Sequence, residues 1–142
     1  MGYLVDTCIW IDVERGTLLP HAVAAVLGNE TVFLSPVTLA ELKFGAERAK
    51  NSAMRQQRLA ALARLQAKPV LHIDAITGQI FGEIAAQLVG TGHHHNHRVQ
   101  DLWLASQAVQ HKLTLVTHNR KDFADIVALS LLIWPDAGRL AG

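Results

Sequence analysis

Tyr3-Leu4-Val5-Asp6-Thr7 is the stretch on which the reading of the fold turns. Its apolar run, with Gly2 before it, reads as a short buried strand over residues 2–6. Asp6 closes that strand, and Thr7 to Glu14 follows as helical turns. A carboxylate is rarely buried beside a core unless it is paired or bound to a metal. Asp6 therefore has two readings, a helix N-cap or a ligand at the edge of a sheet.

Working outward, strands and helices alternate. Pro20 opens a helix ending near Gly28, and Val32 to Leu34 is a second strand. Ser35 caps, and Pro36 begins, a helix to about Ala49. Ser52 caps a further helix to about Ala67. Val70 to Ile73 is a strand or an extended connector. Asp74 caps a helix to about Val89, residues 90–97 form a loop, and Arg98 to Lys112 is helical. Leu113 to Val116 is a strand, Lys121 to Ile126 a short helix and Leu131 to Trp134 a last strand. This alternation predicts a parallel α/β sheet covered on both faces, with ligands bound beyond the carboxyl ends of the strands.

The chain has 142 residues, half of them hydrophobic, and a net charge of +1. That length suits a single domain over residues 1–142. The near-neutral charge excludes a global basic field. One cysteine, Cys8, excludes an internal disulfide framework and fits a reducing compartment. Its apolar neighbours Ile9 and Trp10 favour a buried structural thiol over a nucleophile. The N-terminus lacks a basic region and its apolar stretch is broken by acids, so a soluble cytoplasmic protein is expected.

Three further acids stand beside core-forming segments. Glu41 shares a helix face with Val37, Phe44 and Gly45, and is either a rim residue or part of a site. Asp101 lies in the first turn of its helix, where the backbone dipole favours any acid. Its phase, shared with Leu104, Ala105 and Ala108, points it toward the core, while Gln100, Gln107 and His111 mark the wet side. Asp122 either pairs with Arg120, caps a helix or joins the others. Thr117 and Asn119 offer side-chain groups that bind metal-bound water or orient a carboxylate. Such a cluster repels itself unless a cation holds it, and oxygen-only ligands point to Mg²⁺ or Mn²⁺.

Leu4-Val5-Asp6-Thr7, residues 35–45, residues 101–108 and residues 115–123 together resemble the PIN-domain family, in order and spacing, over residues 3 to about 134. The similarity is to the VapC-type toxins of bacterial toxin–antitoxin pairs. It implies a three-layer α/β/α fold with a short, mainly parallel central sheet. It also implies a Mg²⁺-dependent endoribonuclease acting on RNA, a homodimer, and a cognate antitoxin that blocks the site and alone brings the complex to DNA. By position, Asp6 and Asp101 match the family's principal metal ligands. Glu41 and Asp122 match its supporting acids, and Thr117 and Asn119 its polar accessories, with the fourth corner open between Asp122 and Asn119. Trp103 is bulkier than the aliphatic residue expected there, and the run His93 to His97 before Asp101 is unusual.

Residues 48–73 hold Arg48, Lys50, Arg55, Arg58, Arg64 and Lys68 and no acid, a solvated helix face or a contact for RNA phosphates or an acidic partner. The His run reads as a flexible loop, with a pH-sensitive RNA contact as the alternative. Ile76, Ile80, Ile84 and Leu88 form a stripe that reads as core, with a share available for a dimer interface. The competing function is a binding protein on the same fold, working mainly in a DNA-binding regulatory complex with little nuclease activity. Presence of all four acids favours the enzyme.

Overall fold

The computed structural model describes residues 2–93 and 98–134. Its centre is a four-stranded parallel sheet of β1 (Tyr3–Val5), β2 (Val32–Phe33), β3 (Thr114–Thr117) and β4 (Ser130–Ile133), in the order β2-β1-β3-β4. Seven described helices connect and cover it: α1 (Thr7–Arg15), α2 (Pro20–Leu27), α3 (Pro36–Glu47), α4 (Ser52–Leu65), α5 (Ala75–Gly90), α6 (Val99–Gln110) and α7 (Arg120–Phe123). This is the three-layer α/β/α arrangement expected from the alternation.

The strands are short, and successive residues along each face opposite sides of the sheet. Leu4 and Leu115 pack under α5, α6 and α7 with Ile84, Leu88, Leu104 and Phe123. Val5 and Val116 pack on the opposite face with Ile9 and Trp10 of α1 and Val23 of α2. These four strand residues are fully buried, and each contributes ~1.5–3 kcal/mol of transfer free energy. Trp103 finds its place by stacking on Phe81 of α5, with ring centroids 4.4 Å apart.

The order β2-β1-β3-β4 positions the site. The chain moves one way from β1 to β2 and the other way to reach β3, so the switch point falls between β1 and β3. Val5 pairs with Val116 at that edge, and the Asp6 N–H continues the ladder to the Val116 carbonyl at 2.9 Å. Asp6 and Thr117 thus leave the sheet side by side.

Several local expectations are corrected. Asn51, not Ser52, caps α4, its side chain accepting from the Met54 N–H at 2.9 Å. The last short helix spans Arg120–Phe123 rather than residues 121–126, and Phe123 and Ile126 are both buried in the core beneath it. Of residues 70–73, only Val70 bridges a strand-like neighbour, Leu34. Ile76 is 57% exposed, so the stripe of α5 enters the core only from Ile80 onward. Gln107, expected on the wet side, is fully buried. It accepts from the Ser35 hydroxyl at 2.5 Å and donates to the Leu71 carbonyl at 3.3 Å. Most of the His93–His97 run lies outside the described residues.

Candidate active site

Asp6 is both of the things its sequence position allowed. Its Oδ1 accepts from the Thr7 N–H at 2.7 Å, capping α1. Its Oδ2 accepts from the Thr117 hydroxyl at 2.8 Å and the Cys8 thiol at 3.5 Å. The Asn119 N–H donates to Thr117 Oγ1 at 3.0 Å, which leaves the Thr117 proton for Asp6. Asp6 is 6% exposed. Burial raises its carboxyl above the ordinary value, against the lowering contacts of Thr117, Thr7 and Cys8, and the charge of Asp122 adds to the rise.

Glu41 comes in from α3. Its Oε1 accepts from the Thr7 hydroxyl at 2.9 Å, and the same hydroxyl lies 3.1 Å from the buried Thr38 hydroxyl. Burial raises the Glu41 carboxyl and the Asp6 charge adds to it, while the Thr7 bond opposes both. Phe44, expected on the same face, is 68% exposed. The face that carries Glu41 inward is the one that holds Thr38.

Asp101 arrives on the first turn of α6. Burial, then the charges of Asp122 and Asp6, push its carboxyl up to about 6, with Glu41 adding and Arg98 opposing. Asp122 sits on α7 and acts on both Asp6 and Asp101. The structure therefore brings Asp6, Glu41, Asp101 and Asp122 into one another's fields, with Thr117 bonded to Asp6. Asn119 is exposed, and its described contact with the group runs through its backbone N–H.

Cys8 is half-buried rather than buried. Burial and the Asp6 charge push its thiol up to about 12, so it stays protonated and is a poor nucleophile. Two side-chain contacts beside the site were not anticipated. His118 Nε2 lies 2.5 Å from Asp12 Oδ2 and ties the end of β3 to α1. Arg98 binds Asp125 with both terminal nitrogens, at 2.8 and 2.9 Å. The only sequence signal for Arg98 was a cation one turn before Asp101.

The basic block is less free than its composition suggests. Arg55 grips Glu47 of α3 at 2.9 and 3.0 Å, Arg58 donates to the Gly45 carbonyl at 2.9 Å, and Lys68 lies 5.7 Å from the Trp10 ring centroid. A cavity of about 100 Å³ opens beside Glu41 between α1, α3 and α4, lined by Trp10, Leu42, Arg58 and Leu65 among others.

Among the described residues, no three His, Cys, Asp or Glu side chains gather tightly enough to enclose an ion alone. The donor chemistry nonetheless fits Mg²⁺, which takes one or two carboxylates and completes its shell with water and substrate oxygens. Carboxylates raised by burial and by one another are what a hard cation relieves.

Comparison with known proteins agrees with the fold. The family model described as PIN domain matches residues 3–129. Ribonuclease VapC5 of Mycobacterium tuberculosis is 31% identical over 121 residues, 85% of this chain and 84% of the relative. Among solved structures, VapBC2 from Rickettsia felis bound to a DNA fragment from its promoter superposes with a TM-score of 0.81 at 27% identity, covering 95% of this chain and 100% of that one. VapBC-5 from Mycobacterium tuberculosis, a member of the VapBC family of toxin–antitoxin systems, gives 0.75 at 25% identity, covering 94% and 98%.

Proposed function

Because this chain belongs to the PIN-domain family, among its VapC-type members, we propose that it is a Mg²⁺-dependent endoribonuclease, with Mn²⁺ as a substitute. It acts in the cytoplasm as the toxin of a toxin–antitoxin pair. The observation that carries this reading is the gathering of four carboxylates at the switch point of the sheet, where burial, and then the charges of Asp122 and Asp6, push Asp101 up to about 6. An uncompensated cluster of this kind lowers stability, so its presence argues for a cation in the working protein. A pure binding protein on this fold has no use for it.

Asp6 and Asp101 are the carboxylates that hold the ion, which when bound supplies a Lewis acid for the phosphate and a nucleophile at neutral pH. Thr117 and the Thr7 N–H fix the two oxygens of Asp6 and set its orientation. Glu41, held by the Thr7 hydroxyl, and Asp122, on the α7 side, accept hydrogen bonds from water and can take its proton. Above pH 6 Asp101 is ionised and ready to bind. RNA phosphates meet the free cations of the 48–73 block. A second copy of the chain and a cognate antitoxin complete the assembly, the antitoxin blocking the acidic site and carrying the complex to DNA. The toxin–antitoxin complex from Mycobacterium tuberculosis and the DNA-bound complex from Rickettsia felis support that reading.

The test is induced expression of the wild-type chain and of Asp6→Ala, followed by mapping of new RNA 5′ ends. Growth arrest with discrete cuts, both absent for Asp6→Ala, is the expected result. Arrest by both proteins without new RNA ends would exclude the nuclease reading.

A further inference from the structure

We propose that Arg98 is a positioning residue, a brace that sets Asp122 beside Asp101 by clamping α7 against the first turn of α6. The inference rests on the metal-dependent reading above, and concerns a residue outside its acid set.

Arg98 stands at the N-cap of α6, where its carbonyl accepts the Leu102 N–H at 2.9 Å and starts the helix that carries Asp101. Its side chain makes no cap. It crosses to α7 instead, binds both oxygens of Asp125 at 2.8 and 2.9 Å, and donates to the Asp122 carbonyl. One residue therefore holds the backbone of both acid-bearing segments. α7 needs such a hold: it spans four residues, Arg120–Phe123, and a single turn has little stability of its own. Phe123 and Ile126 fasten its inner side to the core. Arg98 and Asp125 fasten the outer side.

Two features separate this pair from an ordinary surface ion pair. The Arg98 side chain is 12% exposed and the Asp125 side chain 20%, so the fork–fork bond is largely shielded from water. It also reaches both acid-bearing segments, since Arg98 begins the helix that carries Asp101 and donates to the Asp122 carbonyl. Groups that orient the ligands of an ion commonly change its affinity 10- to 100-fold when removed, on the order seen for outer contacts in other metal sites.

The experiment measures Mn²⁺ binding to the full chain by electron paramagnetic resonance, without RNA, for wild type, Arg98→Met, Arg98→Lys and Asp125→Asn. Amide exchange is followed at Ala124 and Ile126, whose N–H groups bond within the α7 segment. Asp125→Asn keeps the Arg98 charge but loosens its anchor, and serves if Arg98→Met does not fold. The expected result is roughly 10- to 100-fold weaker Mn²⁺ binding in Asp125→Asn and Arg98→Met, with faster exchange at both amides. Arg98→Lys, which keeps the charge and loses the fork, should recover only part of the affinity. Full recovery by lysine, or wild-type affinity in a folded Asp125→Asn, overturns the brace. If the wild-type chain itself binds no Mn²⁺, the metal-dependent reading falls and takes the brace with it.

Discussion

Asp101→Asn should stabilise the metal-free protein while removing its activity. Folding moves the Asp101 carboxyl from its ordinary 3.8 to about 6. At about 1.36 kcal/mol per pH unit, that rise corresponds to ~3 kcal/mol. The side chain is only half-buried, and solvent screening reduces the figure to ~1.5 kcal/mol. Losing a favourable first-turn acid opposes this by ~0.5 kcal/mol. The net gain is ~1 kcal/mol, or roughly 3 °C in Tm for a chain of this size. Its pH dependence follows from the direction of the change. The folded-state value is the higher one, so the stability Asp101 contributes is fully present below pH 3.8 and is lost as pH rises through about 6. The advantage of the Asn variant should therefore open between about pH 4 and 6 and hold constant above. Thermal melts of both proteins in chelator, at pH 4 and pH 7.5, measure it. With excess Mg²⁺ the order should reverse, since only the wild type gains binding free energy. An Asn variant no more stable than wild type at pH 7.5 in chelator refutes the idea that the acids destabilise the protein when no cation is bound.

Other consequences are more local. Thr117→Val removes the charge-assisted bond to Asp6, worth ~1.5–3 kcal/mol, and should slow RNA cleavage roughly tenfold to a hundredfold with little change in KM. Gln107→Leu orphans the Leu71 carbonyl and one bond of Ser35, and should cost ~1–3 kcal/mol in urea unfolding. Replacing both Lys50 and Arg64 with alanine should flatten the slope of log affinity for RNA against log salt by about 1.4, at ~0.7 per phosphate contact. Arg55→Ala should change that slope less, since Glu47 already holds Arg55.

The parts of this molecule that were legible in the sequence are those set by local pattern. Tyr3-Leu4-Val5 and Leu113 to Val116 could only be short buried strands, and the acid or threonine after each had to fall at the sheet edge. The phase of Asp101 on α6 correctly aimed it inward. What local pattern could not carry was pairing between distant segments. Gln107 looked wet because its partners, Ser35 and Leu71, stand far away in the chain. Phe44 falls in an apolar stripe yet is exposed, since such a stripe says nothing of where the covering layer stops. Asp122 was ambiguous because its neighbour Arg120 offered it a partner and its position a helix cap, yet the field it shares is with Asp101 and Asp6. Arg98 was missed for the same reason: Asp125 lies across a whole helix and strand from it. Asn51 and Ser52 are both good caps, and only the backbone geometry separates them.

The most direct test of the central claim is cleavage of a defined RNA by purified wild-type protein and by Asp6→Ala, each with Mg²⁺ and with chelator. The wild type should cut at discrete positions with Mg²⁺ and not in chelator, and a folded Asp6→Ala should cut in neither. Cleavage by Asp6→Ala at the wild-type rate, or by the wild type undiminished in chelator, would contradict it.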